Sequence, residues 1–254
     1  MRLVAVLFVA ACGPPPQVPH KPLPELVSSA QPATPLPVTA LALPPGESLI
    51  WSVHWKGITI GRAELAVSDR EVRSRFKTDA LVNTMVSIEY DLATVFDRAT
   101  ARVTSATENL TINGETKQVA ETFDGASYAI NGINSDTAGD GRSFSLPDGN
   151  PGHTVHSALG AIRAWAAPEA RPGFLFIVHA GQLVRLDVMR PITEELQGTK
   201  TLRVECRVRP TTDKMEPFAV TVWFTDDQKR TPIRIEITNA GEHVTAELID
   251  AAAA

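Results

Sequence analysis

Residues 47–67 read ESLIWSVHWKGITIGRAELAV, and the fold class turns on them. Leu49, Trp51, Val53 and Trp55 alternate with small or polar residues. A strand puts every second side chain on one face, whereas a helix gathers apolar residues about every 3.6 positions, so this stretch reads as β. Lys56-Gly57 supplies a turn. Ile58 and Ile60 then continue on one parity, and Ala63, Leu65 and Val67 on the other. Gly61 sits where the parity flips, which predicts a β-bulge.

The same alternation recurs downstream. Leu202, Val204, Cys206 and Val208 form one run, Phe218, Val220, Val222 and Phe224 a second, Ile233, Ile235 and Ile237 a third, and Val244, Ala246 and Leu248 a fourth. Strands with one dry and one wet face belong to antiparallel sheets. Asn113-Gly114 marks a hairpin, Ala180-Gly181 and Ala240-Gly241 mark two more turns, and Asn134–Gly152 reads as a long glycine-rich loop. One helix stands out in TVHSALGAIRAWA, residues 154–166, with Val155, Leu159, Ile162 and Ala166 on one stripe, Trp165 close by and Thr154 as its cap. Leu81–Val86 suggests a shorter helical turn. About ten or eleven strands with one crossing helix predict an all-β domain: a strongly curved antiparallel sheet, either a half-open or a closed barrel. That single domain is expected over residues 47–250.

The N-terminal residues predict an address. Met1-Arg2 is a positive start, Leu3–Ala11 a short apolar run, and Ala10-Ala11 are small residues before a cleavage point. Val9-Ala10-Ala11-Cys12 resembles the bacterial lipobox, and the resemblance implies that residues 1–11 are a lipoprotein signal peptide and that Cys12 is lipidated. Stable anchoring takes more than one acyl chain, each buried methylene contributing about 0.8 kcal/mol. Plain secretion with an incidental Cys12 is the alternative. Gly13 follows the cysteine where an Asp favours inner-membrane retention, so the outer membrane is expected. Residues 12–46 are dense in Pro, Ala and Ser, which predicts a semi-rigid tether holding the domain clear of the membrane.

Net charge is −5, which argues against a nucleic-acid partner. The only two cysteines, Cys12 and Cys206, form no CxxC motif, and Cys206 in an apolar strand position reads as an inert core thiol. No cofactor is implied.

Three further stretches carry a resemblance. GESLIWSVHWKGITIGRAEL (46–65), SALGAIR (157–163) and VWFTDDQKRTPIRIEI (222–237) resemble, in order, the opening strands, the helix and the closing hairpin of the bacterial envelope family called domain of unknown function 3108. Thr154-Val155-His156 departs from the Asp-Pro-like pair expected before that helix. The family has no established activity, so the resemblance implies fold and compartment alone. At a looser level the strands resemble the half-barrel lipoprotein carriers LolA and LolB, an analogy of fold only.

Candidate sites are few. His153 and His156, three apart, suit a metal by spacing, yet no third ligand is evident, and a loop histidine and a helix-start histidine is the plainer reading. Asp226-Asp227 reads as a solvated turn rather than a catalytic pair, and Ser157 lacks a nucleophile context. Arg163 interrupts the helix stripe; it either binds an anion in the concavity, pairs with a carboxylate, or lies along the helix surface. The leading expectation is a non-catalytic lipoprotein whose sheet binds a lipid or other apolar ligand, lined by Trp51, Trp55, Leu159, Ile162, Trp165 and Trp223, with Arg163 as polar anchor. The alternative is an envelope assembly or scaffold protein that binds another protein or cell-wall polymer.

Overall fold

The structure, a computed structural model, describes residues 31–133, 141–211 and 216–252. The leader, Cys12 and the first part of the expected tether lie outside the described residues, as do residues 134–140 of the glycine-rich loop.

The sequence alternation becomes one long sheet. Its first arm is β1 (Ser48–Trp55), β2 (Ile58–Val67), β3 (Glu71–Thr78), β4 (Ile88–Asp97), β5 (Arg102–Ile112), β6 (Glu115–Asp124), β7 (Ser127–Ile133) and β8 (Arg142–Ser145). The second is β9 (Gly152–His153), β10 (Gly173–His179), β11 (Gln182–Val188), β12 (Ile192–Leu196), β13 (Thr199–Pro210), β14 (Phe218–Thr225), β15 (Pro232–Asn239) and β16 (Glu242–Ala252). β1 pairs with β16, so the arms join through the first and last strands, and the order runs from β8 through β1 and β16 to β9, with β12 as a branch on β13. Among the described residues no backbone ladder joins β8 to β9, so the curved sheet is not closed by hydrogen bonds.

Among the described residues sixteen strands form, where about ten or eleven are expected from alternation alone. β10 shows why. Its residues GFLFIVH are apolar without alternation because both faces are covered. Leu175 and Ile177 pack with the helix side of the core, while Phe174, Phe176 and Val178 pack against Val119, Tyr128 and Ile130 of β6 and β7. The β9–β11 end therefore tucks inside the β5–β8 end, and the sheet rolls over itself.

Local chemistry sets the turns. Lys56-Gly57, Asn113-Gly114, Ala180-Gly181 and Ala240-Gly241 each close a hairpin with both residues at positive φ, the twist that matches flanking strands, and Gln197-Gly198 adds another. The bulge predicted at Gly61 is present: Val53 pairs with Gly61 and His54 with Thr59, leaving Ile60 extra. A Cβ on Gly61 would lie 2.3 Å from the Lys77 carbonyl, so no other residue fits. The expected helical turn is α1 (Ala80–Asn83), whose Val82 plugs the rim below Ile60 and Phe76.

The helix α2 (Val155–Trp165) lies against the inner face, capped by Thr154 and Ser157 in a reciprocal capping box. Its buried side differs from the expected stripe. Val155 is 47% exposed, and the buried residues are Ala158, Gly160, Ala161 and Ile162 with polar His156, Ser157 and Arg163. Small residues win there because the helix is approached closely on two sides.

One of those approaches corrects the expected domain boundary. The tether predicted to run to residue 46 joins the fold about a dozen residues earlier: Leu36 is 4% and Leu43 1% exposed. Leu36 N–H donates to the Phe174 carbonyl, Phe174 N–H to Thr34, and Ala42 N–H to Gly160. Two glycines make room for two leucines of this strap. A Cβ on Gly160 would sit 2.8 Å from Leu43 Cγ, and one on Gly173 would sit 2.9 Å from Leu36 Cα. Prolines hide the strap from pattern reading, yet they leave few donors to satisfy, so its leucines enter the core at low cost. Gly160→Ala should therefore destabilise the protein by about 1–2 kcal/mol despite its better helix propensity, as measured by urea unfolding, and the loss should vanish in a Leu43→Ala background.

Candidate functional site: an aromatic seam with a buried polar cluster

The overlap of the two sheet ends is the candidate site. On one side stand Val119, Phe123, Tyr128, Ile130 and Phe144, and on the other Phe174, Phe176 and Val178. Tyr128 stacks on Phe144 with ring centroids 5.2 Å apart, and Phe174 meets Phe176 edge to face at 5.5 Å. Side-chain packing holds these layers together. Such contacts are non-directional, so this is where the roll parts at least cost in hydrogen bonds.

At one end of the seam the Ala180-Gly181 turn docks on two buried carboxylates. Ala180 N–H donates to Glu108 Oε1 and Gly181 N–H to Glu121 Oε1, each at 2.8 Å. Tyr90 Oη donates to Glu108 Oε2 at 2.8 Å, and His179 Nδ1 lies 3.0 Å from the same oxygen. Burial pushes the Glu108 carboxyl up, but the neighbouring His179, the Ala180 N–H and Tyr90 together hold it below its ordinary value. Burial works against charge on His179, and Glu108 outweighs it, leaving the imidazole raised. Burial and the charge of Glu108 drive Glu121 up to about 8. At neutral pH the cluster holds an ionised Glu108 beside His179 and a neutral Glu121. Glu121 Oε2 has no hydrogen-bond partner among the described residues. Sequence reasoning missed this cluster. Its members sit in alternating strands at ordinary inward positions, and the one available signal was a glutamate where an apolar residue belongs.

A family model described as "Protein of unknown function (DUF3108)" matches residues 51–249. The chain belongs to the DUF3108 family. Among solved structures, the beta-barrel-like protein of domain of unknown function DUF1849 from Brucella abortus resembles this DUF3108 chain with a TM-score of 0.59 at 10% identity, over 82% of this chain and 97% of that one. That likeness is one of fold. A DUF1089 family protein from Pseudomonas aeruginosa matches at TM-score 0.40 and 12% identity, covering 70% and 90%. Mycobacterium tuberculosis lipoprotein LppX matches at 0.26 and 12%, covering 82% and 86%. No curated protein matches the sequence.

In the DUF3108 fold, Trp51, Trp55, Leu159, Ile162 and Trp165 lie on the inner side, spread over three adjoining clusters, and Trp223 does not. Trp51 is buried with Leu49, Leu65 and Val72, its indole N–H donating to the Pro232 carbonyl at 3.0 Å. Leu159 touches that cluster, and Ile162 and Trp165 pack on the neighbouring one. Trp55 sits at the rim, donating to Glu242 at 3.1 Å under the Lys56 ammonium. Trp223 is on the other face altogether: Val222 and Phe224 point to the core, while Trp223 donates to Glu194 of β12 and is covered by Arg234. Strand parity explains the correction, since neighbours in β14 face opposite ways.

Arg163 is not free to anchor a ligand. Its guanidinium makes a two-pronged pair with Glu47 at 2.6 and 2.7 Å, its Nε donates to the Lys229 carbonyl, and it is 3% exposed. Of the alternatives open in the sequence, the carboxylate partner is the one realised. His156 is likewise committed, bonding Thr94 at 3.0 Å and Ser74 at 2.8 Å, and burial lowers it to about 3. Both His153 and His156 are core histidines, so the loop position expected for His153 is corrected to a buried one in β9. Ser157 is occupied by the capping box. Cys206 is buried, its thiol pushed up to about 12 by that burial. Asp226 pairs with Lys200 and Arg230 in a turn. A groove of about 330 Å³ lies on the outer face of β3–β5, lined by polar residues such as Glu71, Arg73, Asp91 and Asn109.

Proposed function

We propose that this protein is a non-catalytic lipoprotein of the cell envelope, anchored through Cys12 on the periplasmic face of the outer membrane, that binds a lipid or other apolar ligand in the aromatic seam. The observation that carries this reading is the seam: two apolar, aromatic-rich layers of one sheet meeting without a backbone ladder. Ligand sites are mostly apolar with a few placed polar groups, and the Glu108–Glu121–His179 cluster supplies those at its end. The wall opposite the seam, by contrast, is filled by α2 and the strap. The polar residues that suggest chemistry in the sequence are spent on capping, core hydrogen bonds and ion pairs, which favours binding over catalysis.

The test uses the full chain exported with Cys12→Ser, which removes the anchor and leaves the rest intact. Native mass spectrometry of the purified protein should find co-purified lipid, and it should displace the probe 1-N-phenylnaphthylamine on acyl-ligand addition. A protein that is lipid-free and takes up no apolar probe counts against the reading. Intact mass of the unaltered chain tests the anchor separately.

One observation favours the scaffold alternative. Ile58, Leu81 and Met85 are 58%, 75% and 64% exposed. They share the rim of the β1–β2 and β3–β4 connections, opposite the rim where the strap meets the start of β10. Crosslinking in intact cells that recovers one stoichiometric protein through this rim supports that alternative.

A further inference from the structure

Glu121 stands between Val119 and Phe123 on the inner face of β6, directly across from Ile130, with Phe176 and Val178 of β10 over the same cluster. It is 1% exposed. One carboxyl oxygen accepts the Gly181 N–H, and the other has no partner among the described residues. A buried polar atom without a partner is costly, and native structures keep few. The rest of the cluster is satisfied: Glu108 takes Tyr90, His179 and the Ala180 N–H. Arg163, the anchor expected from the sequence, is consumed by Glu47.

We propose that Glu121 is the polar anchor of the seam, its Oε2 hydroxyl donating to the carbonyl oxygen of an uncharged acyl ester lying between the two layers. The inference rests on the apolar-ligand reading above and names the chemistry of the ligand's polar end. Three features select that class. Val119 and Phe123 flank Glu121 and Ile130 faces it, an aromatic and aliphatic setting that fits an acyl chain. Burial together with the negative Glu108 keeps the proton on Glu121 up to about pH 8, so the group donates at neutral pH. The same Glu108 charge disfavours a free carboxylate at that position.

The experiment is displacement of 1-N-phenylnaphthylamine from the full chain carrying Cys12→Ser, by methyl laurate and by pentadecane, a hydrocarbon of similar size. At pH 7 the ester should displace the probe at about tenfold lower concentration, the yield of one hydrogen bond in a dry site. Glu121→Leu should displace equally with both. Glu121→Gln retains a donor and should keep the preference. At pH 9.5 the unaltered Glu121 loses its proton and the preference should disappear, while Glu121→Gln should keep it. The pH pair decides the matter even where Glu121→Leu fails to fold by circular dichroism. Equal displacement by both ligands at pH 7, or a preference that survives in folded Glu121→Leu, overturns the anchor while leaving the apolar-ligand reading standing. A chain that binds no probe at all removes both.

Discussion

Glu47→Ala should cost the fold about 3–5 kcal/mol and lower its melting temperature by about 10 °C. Arg163 comes from the last turn of α2 and Glu47 from the residue before β1, so the pair ties the helix to the sheet across the core. Both partners are almost fully buried, at 3% and 8% side-chain exposure. The intact pair need not add much net stability, because desolvating two charges offsets their attraction. Removing one partner is different, since it strands a guanidinium that cannot shed its proton. Among the described residues the Lys229 carbonyl remains as its other acceptor, and a neutral oxygen does not replace a two-pronged carboxylate. The double variant Glu47→Leu with Arg163→Met should recover most of the loss. Urea unfolding of the two variants checks this; a single variant within about 1 kcal/mol of wild type shows that water reaches the site and the pair is not a dry one.

Stability should pass through a maximum near pH ~6.5 and fall on both sides. Acid loss comes from the two core histidines. Burial lowers His153 to about 4 and His156 to about 3. Between pH 6.5 and those values the unfolded chain takes up protons that the native chain refuses, so stability drops as pH falls. The alkaline loss comes from the seam. Glu121 holds its proton to about 8 in the fold, while an unfolded glutamate releases it near 4.5, so its contribution is full at low pH and is lost as pH rises through about 8. His179 is raised and acts in the same direction; Glu108 is lowered and adds to the acid loss. Glu121→Gln removes the Glu121 contribution to that alkaline loss. The stability difference between Glu121→Gln and wild type should grow in the variant's favour by about 3 kcal/mol from pH 5 to pH 8, measured by urea unfolding at each pH. A constant difference across that range means that Glu121 is solvated and ionised. Because the cluster docks the Ala180-Gly181 turn onto β5 and β6, the alkaline loss should appear first as faster hydrogen exchange in β10 and β11.

Sequence alone determined the class of the fold. Side-chain parity in a strand is local, so Leu49–Trp55 and Leu202–Val208 declare a wet and a dry face whatever surrounds them. Turn chemistry is equally local: Asn113-Gly114 closes its hairpin, Gly61 marks its bulge, and Thr154 caps its helix. The tertiary structure decided what lies against each dry face. The rolled overlap puts the outer side of β10 on the inner side of β6 and β7, residues more than forty positions apart, and no local pattern encodes that contact. The same long-range packing drew Leu36 and Leu43 out of a proline-rich leash into the core, turned Trp223 away from it, gave Arg163 a carboxylate from 116 residues upstream, and gathered Glu108, Glu121 and His179 at one end of the seam. A residue's facing is set by its neighbours in the chain, whereas its partner is set by where the chain returns, and in a sheet that rolls over itself that return is a global property.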